Sequence, residues 1–323
     1  MPFSDRLNST DLAGCQVCIT GGAGFIGSHL AEALLARGAR VTVLDDFSSG
    51  SPDNLPCEAP GLEIVEGSIL DPEQLSTVFK KASVVFHHAA LVSVPESFER
   101  PDAYQRVNVE GTRQVLEQSR AAGVSRVIYA GSCSAYGNLP GLPKREVDPV
   151  EPTSPYAETK LEGELLVEGA AEGSSFDSVR LRYFNIFGPR QAHDSPYAAV
   201  VPKFVEAFQS GGRPLIFGDG GQTRDFVHVR DVVQANILAA TSPRLLGGRV
   251  INVGSGRRIS VLEVLETVAR AMGVPMTVDY RPERPGEVRD SEASIELGRE
   301  LLGYEPSCEL AQSIDEIRLA LQH

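Results

Sequence analysis

Apolar residues recur along the chain in two rhythms. Short runs at 16–20, 41–44, 62–65, 84–87, 127–130 and 179–183 have the length and β-branched content of buried strands. Between them, stretches at 28–37, 101–122 and 156–171 carry helical spacing. Strands that are apolar throughout must be covered on both faces, so the alternation predicts an α/β fold with a Rossmann-type, doubly wound parallel sheet. After Asn185 the texture changes. Gly, Pro and Arg become frequent, helical patterns shorten, and one further strand-like run at 249–253 ends in Gly254-Ser255-Gly256. This predicts a first domain over 1–184 with a return segment at 225–255, and a smaller α/β domain built from 185–224 and 256–323. No internal repeat or low-complexity tract interrupts the pattern.

The join between the first strand and the first helix carries chemistry. Gly22-x-Gly24-x-x-Gly27, preceded by Gly21, supplies sharp turning, close backbone approach and tight helix packing, with a helix N-terminus aimed at phosphate. Asp45 closes the second strand 21 residues after Gly24, where a carboxylate holds a ribose 2′-hydroxyl. An acid there disfavours the extra phosphate of NADP, so the expected cofactor is NAD.

Composition narrows the partners. The formal charge of −13 repels a nucleic-acid backbone, and 42% hydrophobic with 23% charged residues is ordinary for a globular protein. The first ten residues are polar with an acid at Asp5, and no run of apolar residues reaches membrane-spanning length, so the cytoplasm is the expected compartment. Five cysteines, an odd number without dense spacing, exclude a disulfide scaffold. Cys15 and Cys18 read as structural thiols. His87 and His88 are adjacent on a strand end and point to opposite faces, so they do not chelate one ion, and no metal is expected.

Tyr156-Ala-Glu-Thr-Lys160 places a phenol and an ammonium one turn apart on one helix face. Ser132 follows the strand at 127–130, at the carboxyl edge where open α/β sheets bind ligands. With Gly21-Gly-Ala-Gly-Phe-Ile-Gly27, Ser132-Cys-Ser-Ala-Tyr-Gly137 and Arg182-Tyr-Phe-Asn-Ile-Phe-Gly188, the chain resembles the extended short-chain dehydrogenase/reductase family of UDP-hexose 4-epimerase type, over about residues 15–305. The resemblance implies that Tyr156 is the base, that Lys160 holds the nicotinamide ribose and lowers the phenol's pKa, and that Ser132 bonds the reacting hydroxyl. It also implies NAD contacts from Gly21, Gly24, Phe25, Ile26, Gly27, Asp45, Asp46, Ser48, Ser49, Ser68, Ile69, His88, Ala89, Ala90, Asn108 and Tyr183, and a homodimer formed through the helices at 101–122 and 156–171. Two positions depart from the family: Ser68 stands where an Asp contacts adenine, and Val92 where galactose epimerases often carry Lys.

Family members share the opening oxidation of a sugar hydroxyl and differ afterwards. Dehydrating and decarboxylating relatives place a carboxylate just after the serine, whereas this chain has Cys133, Ser134 and Ala135, so inversion at C4 is the expected outcome. On the substrate side the resemblance implies Arg224 and Arg284 on the diphosphate, Asn185 and Phe217 on the nucleotide, and Ser134, Val200 and Glu287 completing the site. Ser291 matches a gate where a large Tyr excludes an N-acetyl group. That serine, with 188–191 and 194–203, is most similar to bacterial epimerases acting on UDP-GlcNAc, which predicts UDP-GlcNAc and UDP-GalNAc as substrates and UDP-glucose and UDP-galactose beside them. The nearest rival is a UDP-glucuronate 4-epimerase in which Arg190 meets a sugar carboxylate. A dinucleotide-binding regulator is more distant, since it does not need Ser132, Tyr156 and Lys160 together.

Overall fold

A computed structural model describes residues 12–172, 176–191, 199–283 and 288–322. Strands β1 (Gln16–Thr20), β2 (Arg40–Asp45), β3 (Leu62–Glu66), β4 (Val84–His87), β5 (Arg126–Ser132) and β6 (Asp177–Tyr183) form one sheet with Arg249–Val253. The sheet has seven strands in the order Arg249–Val253, β6, β5, β4, β1, β2, β3, and every pair is parallel. The strands predicted from apolar runs are thus all present, and the doubly wound parallel sheet is the observed fold. β1 leads on one side to β2 and on the other pairs with β4, so the strand order reverses there. The carboxyl ends of β1 and β4 flank that reversal, the place where such sheets take ligands in a crevice.

Both faces of the sheet are covered, and the alternation of side chains assigns each residue to a layer. Val17, Ile19, Val84, Phe86, Ile128 and Ala130 pack with Leu30, Leu34, Val232 and Ala239 of helices Phe25–Leu35 and Val229–Thr241. Their neighbours Cys18, Val85, Val127 and Tyr129 face the opposite way, against Leu75, Phe79, Val115 and Val167 of helices Pro72–Phe79, Gly111–Ala122 and Pro155–Ala171. Cys18 is therefore a core residue. A third core gathers Phe187 of the short strand Asn185–Phe187 with Val201, Phe204, Val264, Leu265, Ile314 and Ile317 from helices Val200–Gln209, Val261–Met272 and Leu310–Ala320, away from the sheet. Short strand pairs connect this body to the crevice, among them Asn185–Phe187 with Phe226–His228 and Thr223–Arg224 with Ile259–Ser260.

Two local differences from the sequence reading have physical causes. The first helix begins at Phe25 rather than Ser28, because Gly24 is extended and serves as its N-cap. The stretch 101–122 is one helical run that widens into a π segment at Gln105–Glu110 before continuing as Gly111–Ala122. Thr112 Oγ1 donates to the Asn108 carbonyl at 2.6 Å inside the widened turn, and the Asn108 side chain turns inward to the loop after β4. Among the described residues no helix is long and apolar enough to cross a membrane.

Candidate active site

The glycine turn is built by two different demands. Gly21 has φ 70°, and a Cβ there would lie 2.6 Å from the Ala89 amide nitrogen; a Cβ at Gly27 would lie 2.2 Å from the Gly21 carbonyl oxygen. The protein's own packing forbids any side chain at those positions. Gly24 is different: a Cβ there meets only the Gly21 oxygen, at 3.4 Å. Nothing in the protein requires that glycine. Beside it helix Phe25–Leu35 opens without a side-chain cap and without an acid in its first turn. Bare helical N–H groups facing open space fit a dinucleotide pyrophosphate.

Asp45 lies at the rim of this turn, buried, accepting from the Ala23 and Phe47 amides at 2.9 Å each. Burial raises its carboxyl, and those hydrogen bonds oppose the rise. Asp46, exposed, accepts from the Ser48 amide and hydroxyl, and Ser49 is exposed beside them. Ser68 accepts from the Leu70 amide at 3.2 Å, which leaves its hydroxyl proton to give. Ile69 packs beneath Gly111, where a Cβ would fall 2.4 Å from its Cδ1.

After β4 the paired histidines separate as their alternation requires. His87 is hydrogen-bonded to Thr20 Oγ1 at 2.8 Å and Thr112 Oγ1 at 3.0 Å, entirely within the fold. His88 stacks on Tyr183 with ring centroids 6.0 Å apart, is hydrogen-bonded to Asn236, and has a buried Nδ1 with no protein partner. Burial lowers its pKa to about 4, so the ring is neutral. Ala89 and Ala90 follow, half-buried. Asn108 spends its amide on the Leu91 amide and carbonyl and on Thr159 Oγ1, pinning this loop to helix Pro155–Ala171.

The three residues singled out for chemistry converge. Ser132 is the last residue of β5, and its Oγ accepts from the Ser134 amide and hydroxyl at 3.2 and 2.8 Å. Ser154 caps helix Pro155–Ala171 by accepting from the Ala157 amide, and Pro155 occupies the first helical position. That placement sets the Tyr156 phenol beside Ser132, whose side chain pulls its pKa down, with the Tyr104 ring edge-on at 6.5 Å. One turn on, the buried Lys160 holds Nζ 4.3 Å from the centre of the Tyr129 ring. Desolvation lowers Lys160 to about 8, and Glu164 opposes the fall.

The expected lowering of the Tyr156 phenol is not produced by the protein's own groups. Burial pushes it up to about 12, with only the Ser132 hydrogen bond pulling down. The ammonium rests over the Tyr129 ring.

Beyond this trio lies a cavity of about 790 Å³ lined by Ser132, Ser134, Tyr183, Asn185, Val200, Phe217, Arg224 and Ser291. Every expected substrate residue within the described chain borders it. Arg284, Glu287 and the first half of 194–203 lie outside the described residues. Asn185 Nδ2 donates to the Asp225 carbonyl at 3.3 Å and to Ser291 Oγ at 3.1 Å, which commits both amide protons and leaves Oδ1 for a ligand. Arg224 donates to the Thr223 and Arg289 carbonyls, fixing its guanidinium at the cavity wall. Arg190 sits elsewhere: with φ 65°, it binds Glu32 and Ser28 of the glycine-turn helix. Val92 and Phe98 stand exposed at the mouth.

Sequence reasoning missed two groups. Asn236 joins Tyr183 and His88 from a helix far along the chain. Glu164 and Arg182 form a buried ion pair directly behind Lys160. The signal for Glu164 was present, since it repeats the spacing of Tyr156 and Lys160 by one more turn.

A doubly wound sheet, a dinucleotide turn and a Ser-Tyr-Lys constellation on a polar cavity define a dinucleotide-dependent enzyme of sugar or alcohol chemistry. Residues 17–254 match the NAD dependent epimerase/dehydratase family, and the chain belongs to it. The cofactor is accordingly NAD. The chain is 39% identical to a UDP-glucose 4-epimerase of Mycolicibacterium smegmatis over 93% of its own length and 96% of the relative's. Among solved structures it is similar to a UDP-N-acetylglucosamine 4-epimerase from Methanobrevibacter ruminantium M1 in complex with UDP-N-acetylmuramic acid, at TM-score 0.89 and 36% identity, covering 96% and 98% of the two chains. A UDP-glucuronic acid 4-epimerase from Bacillus cereus, in complex with UDP-glucuronic acid and NAD, matches at TM-score 0.87 and 30% identity over 95% and 99%.

Proposed function

We propose that the protein is a UDP-sugar 4-epimerase that interconverts UDP-GlcNAc and UDP-GalNAc, and with them UDP-glucose and UDP-galactose, through a transient 4-keto sugar. The observation that carries this reading is the pairing of Tyr156 with Ser132, which borders a cavity also lined by the small Ser291. NAD, held by the glycine turn and Asp45, would supply the hydride acceptor for sugar C4 and the donor for its return to the other face. Tyr156 takes the 4-hydroxyl proton and gives it back, Ser132 orients that hydroxyl, and Lys160 stabilises the phenolate and holds the nicotinamide ribose.

Asp45, Asp46, Ser48, Ser49, Ser68 and Ile69 hold the adenosine half, and His88, Ala89, Ala90 and Tyr183 surround the nicotinamide half. Asn108 acts by fixing the loop between them. Arg224 and Arg284 grip the diphosphate while the sugar is held loosely enough to turn. Cys133, Ser134 and Ala135 offer no carboxylate to protonate a leaving hydroxyl, which favours epimerisation over elimination. Arg190 is engaged by Glu32, which weighs against a uronate as the substrate. We also take 1–184 with 225–255 as the cofactor domain, the remainder as the sugar-nucleotide domain, and a homodimer as the working form.

The test is incubation of purified protein with UDP-GlcNAc, followed by NMR, without added NAD. A mixture of both epimers is expected, reporting substrate class and retained cofactor together. Conversion of UDP-glucuronate alone would replace the substrate, and no conversion of any UDP-hexose, with or without added NAD, would overturn the reading.

A further inference from the structure

Behind the Tyr156–Lys160 pair lies an ion pair that the proposed reaction does not use. Glu164 is fully buried, and its carboxylate accepts from Arg182 Nε at 3.0 Å on each oxygen and from Nη2 at 2.7 Å. Two glycines make the approach possible. A Cβ at Gly131 would lie 2.8 Å from Glu164 Oε1, and one at Gly163 would lie 2.2 Å from the Tyr129 hydroxyl. Strand β5 and helix Pro155–Ala171 are thereby brought close around the carboxylate. Burying such a pair is a poor way to gain stability, because desolvation consumes most of the attraction. Its position, one turn after Lys160 on the same face, suggests another use.

We propose that Glu164, anchored by Arg182, is a positioning residue whose charge keeps a proton on the Tyr156–Lys160 pair. The proposal rests on the reading of Tyr156 as the base. Around the pair stand Tyr129 and Ser132 from β5, Cys133 just beyond it, Arg182 from β6, His87 at the end of β4 with His88 after it, and Tyr104 edge-on. Both histidines are kept neutral by burial. Among the described groups acting on Tyr156 and Lys160, Glu164 is the one carboxylate, and it raises both. An anion there holds the ammonium charged and delays loss of the shared proton, so the pair titrates as a unit. Arg182, whose guanidinium also lies 4.7 Å from the centre of the Tyr136 ring, fixes the carboxylate rather than the pair.

Two readouts on the NAD-loaded protein test this. The first is the pH–rate profile of Glu164→Gln with whichever UDP-hexose is turned over. The second is the phenolate absorbance titration, taken as the difference between proteins with and without Tyr156→Phe. Both are expected to move to lower pH by about one pH unit. Glu164→Asp should leave them unmoved, since it keeps the charge. Because Glu164→Gln leaves Arg182 unpaired, Glu164→Gln with Arg182→Met is measured beside it: a displacement in the same direction in the double variant supports the proposal, and one confined to Glu164→Gln reports the bared guanidinium and overturns it. A lower rate at every pH with neither readout displaced overturns it. If no UDP-hexose is turned over, the functional reading fails, and the absorbance titration alone decides for or against Glu164.

Discussion

The two walls of the crevice are held by different means. On the cofactor wall, the turn between β1 and helix Phe25–Leu35 is fixed by backbone sterics: glycines with no room for a side chain and a carboxylate bound to two amides. On the substrate wall, strands of two or three residues pair over only two or three positions, and side-chain hydrogen bonds such as Asn185 to Ser291 tie them to the loops. A wall held by sterics tolerates almost no substitution and binds one ligand in one pose. A wall held by side chains can be retuned, and it is there that related enzymes with different sugars can diverge.

The largest effect is expected between the walls. Tyr156→Phe should lose turnover by about a thousandfold while purified protein keeps its NAD, measured as cofactor released on denaturation; near-normal activity would contradict its role. On the substrate wall, Ser291→Tyr should reduce turnover of the acetylated pair by about a hundredfold and of UDP-glucose and UDP-galactose by less than about tenfold. Equal loss of both would show that the tyrosine acts by displacing Asn185 rather than by filling the sugar pocket.

The cofactor wall makes a sharper internal test. Gly27→Ala should lower unfolding stability by about 3 kcal/mol or more, because its Cβ meets a backbone oxygen that cannot swing away. Gly24→Ala should change stability by no more than about 1 kcal/mol yet reduce the NAD retained. If both variants behave alike, the distinction between a glycine needed for packing and one needed for the ligand is wrong.

The smallest effect is on pH stability. Burial lowers His88 and His228 to about 4, so in the range from roughly 6.5 down to 4 the unfolded chain binds protons that the folded one refuses. Their contribution is complete above about pH 6.5 and is lost as pH falls through that window. Thermal melts of His228→Gln should show a shallower decline there than the parent.

What was legible in the sequence was local. Strands of buried β-branched residues, the glycine turn and the turn spacing of Tyr156 with Lys160 all express rules that act within a few residues. Ser132 was legible because a strand's end fixes where its last side chain can go. The partners that steady these groups were not: Asn236 lies 148 positions from His88, and Arg182 lies 18 from Glu164 across a strand. Such contacts depend on which strand neighbours which, and β1–β4–β5–β6 adjacency is not encoded in any short window. The missing pull of Lys160 on the phenol was illegible for another reason, since helix spacing gives a shared face but not the depth of burial that raises Tyr156.

The strand Arg249–Val253 lies against β6 at the sheet's edge although it follows the chain's excursion through the cavity wall. For protein engineering, the cavity wall is therefore split by the sheet: Asn185, Phe217 and Arg224 precede the returning strand, and Val261 and Ser291 follow it. A chimera that borrows the wall from a relative but keeps this edge strand needs three junctions, one before Asn185 and one on each side of the returning strand.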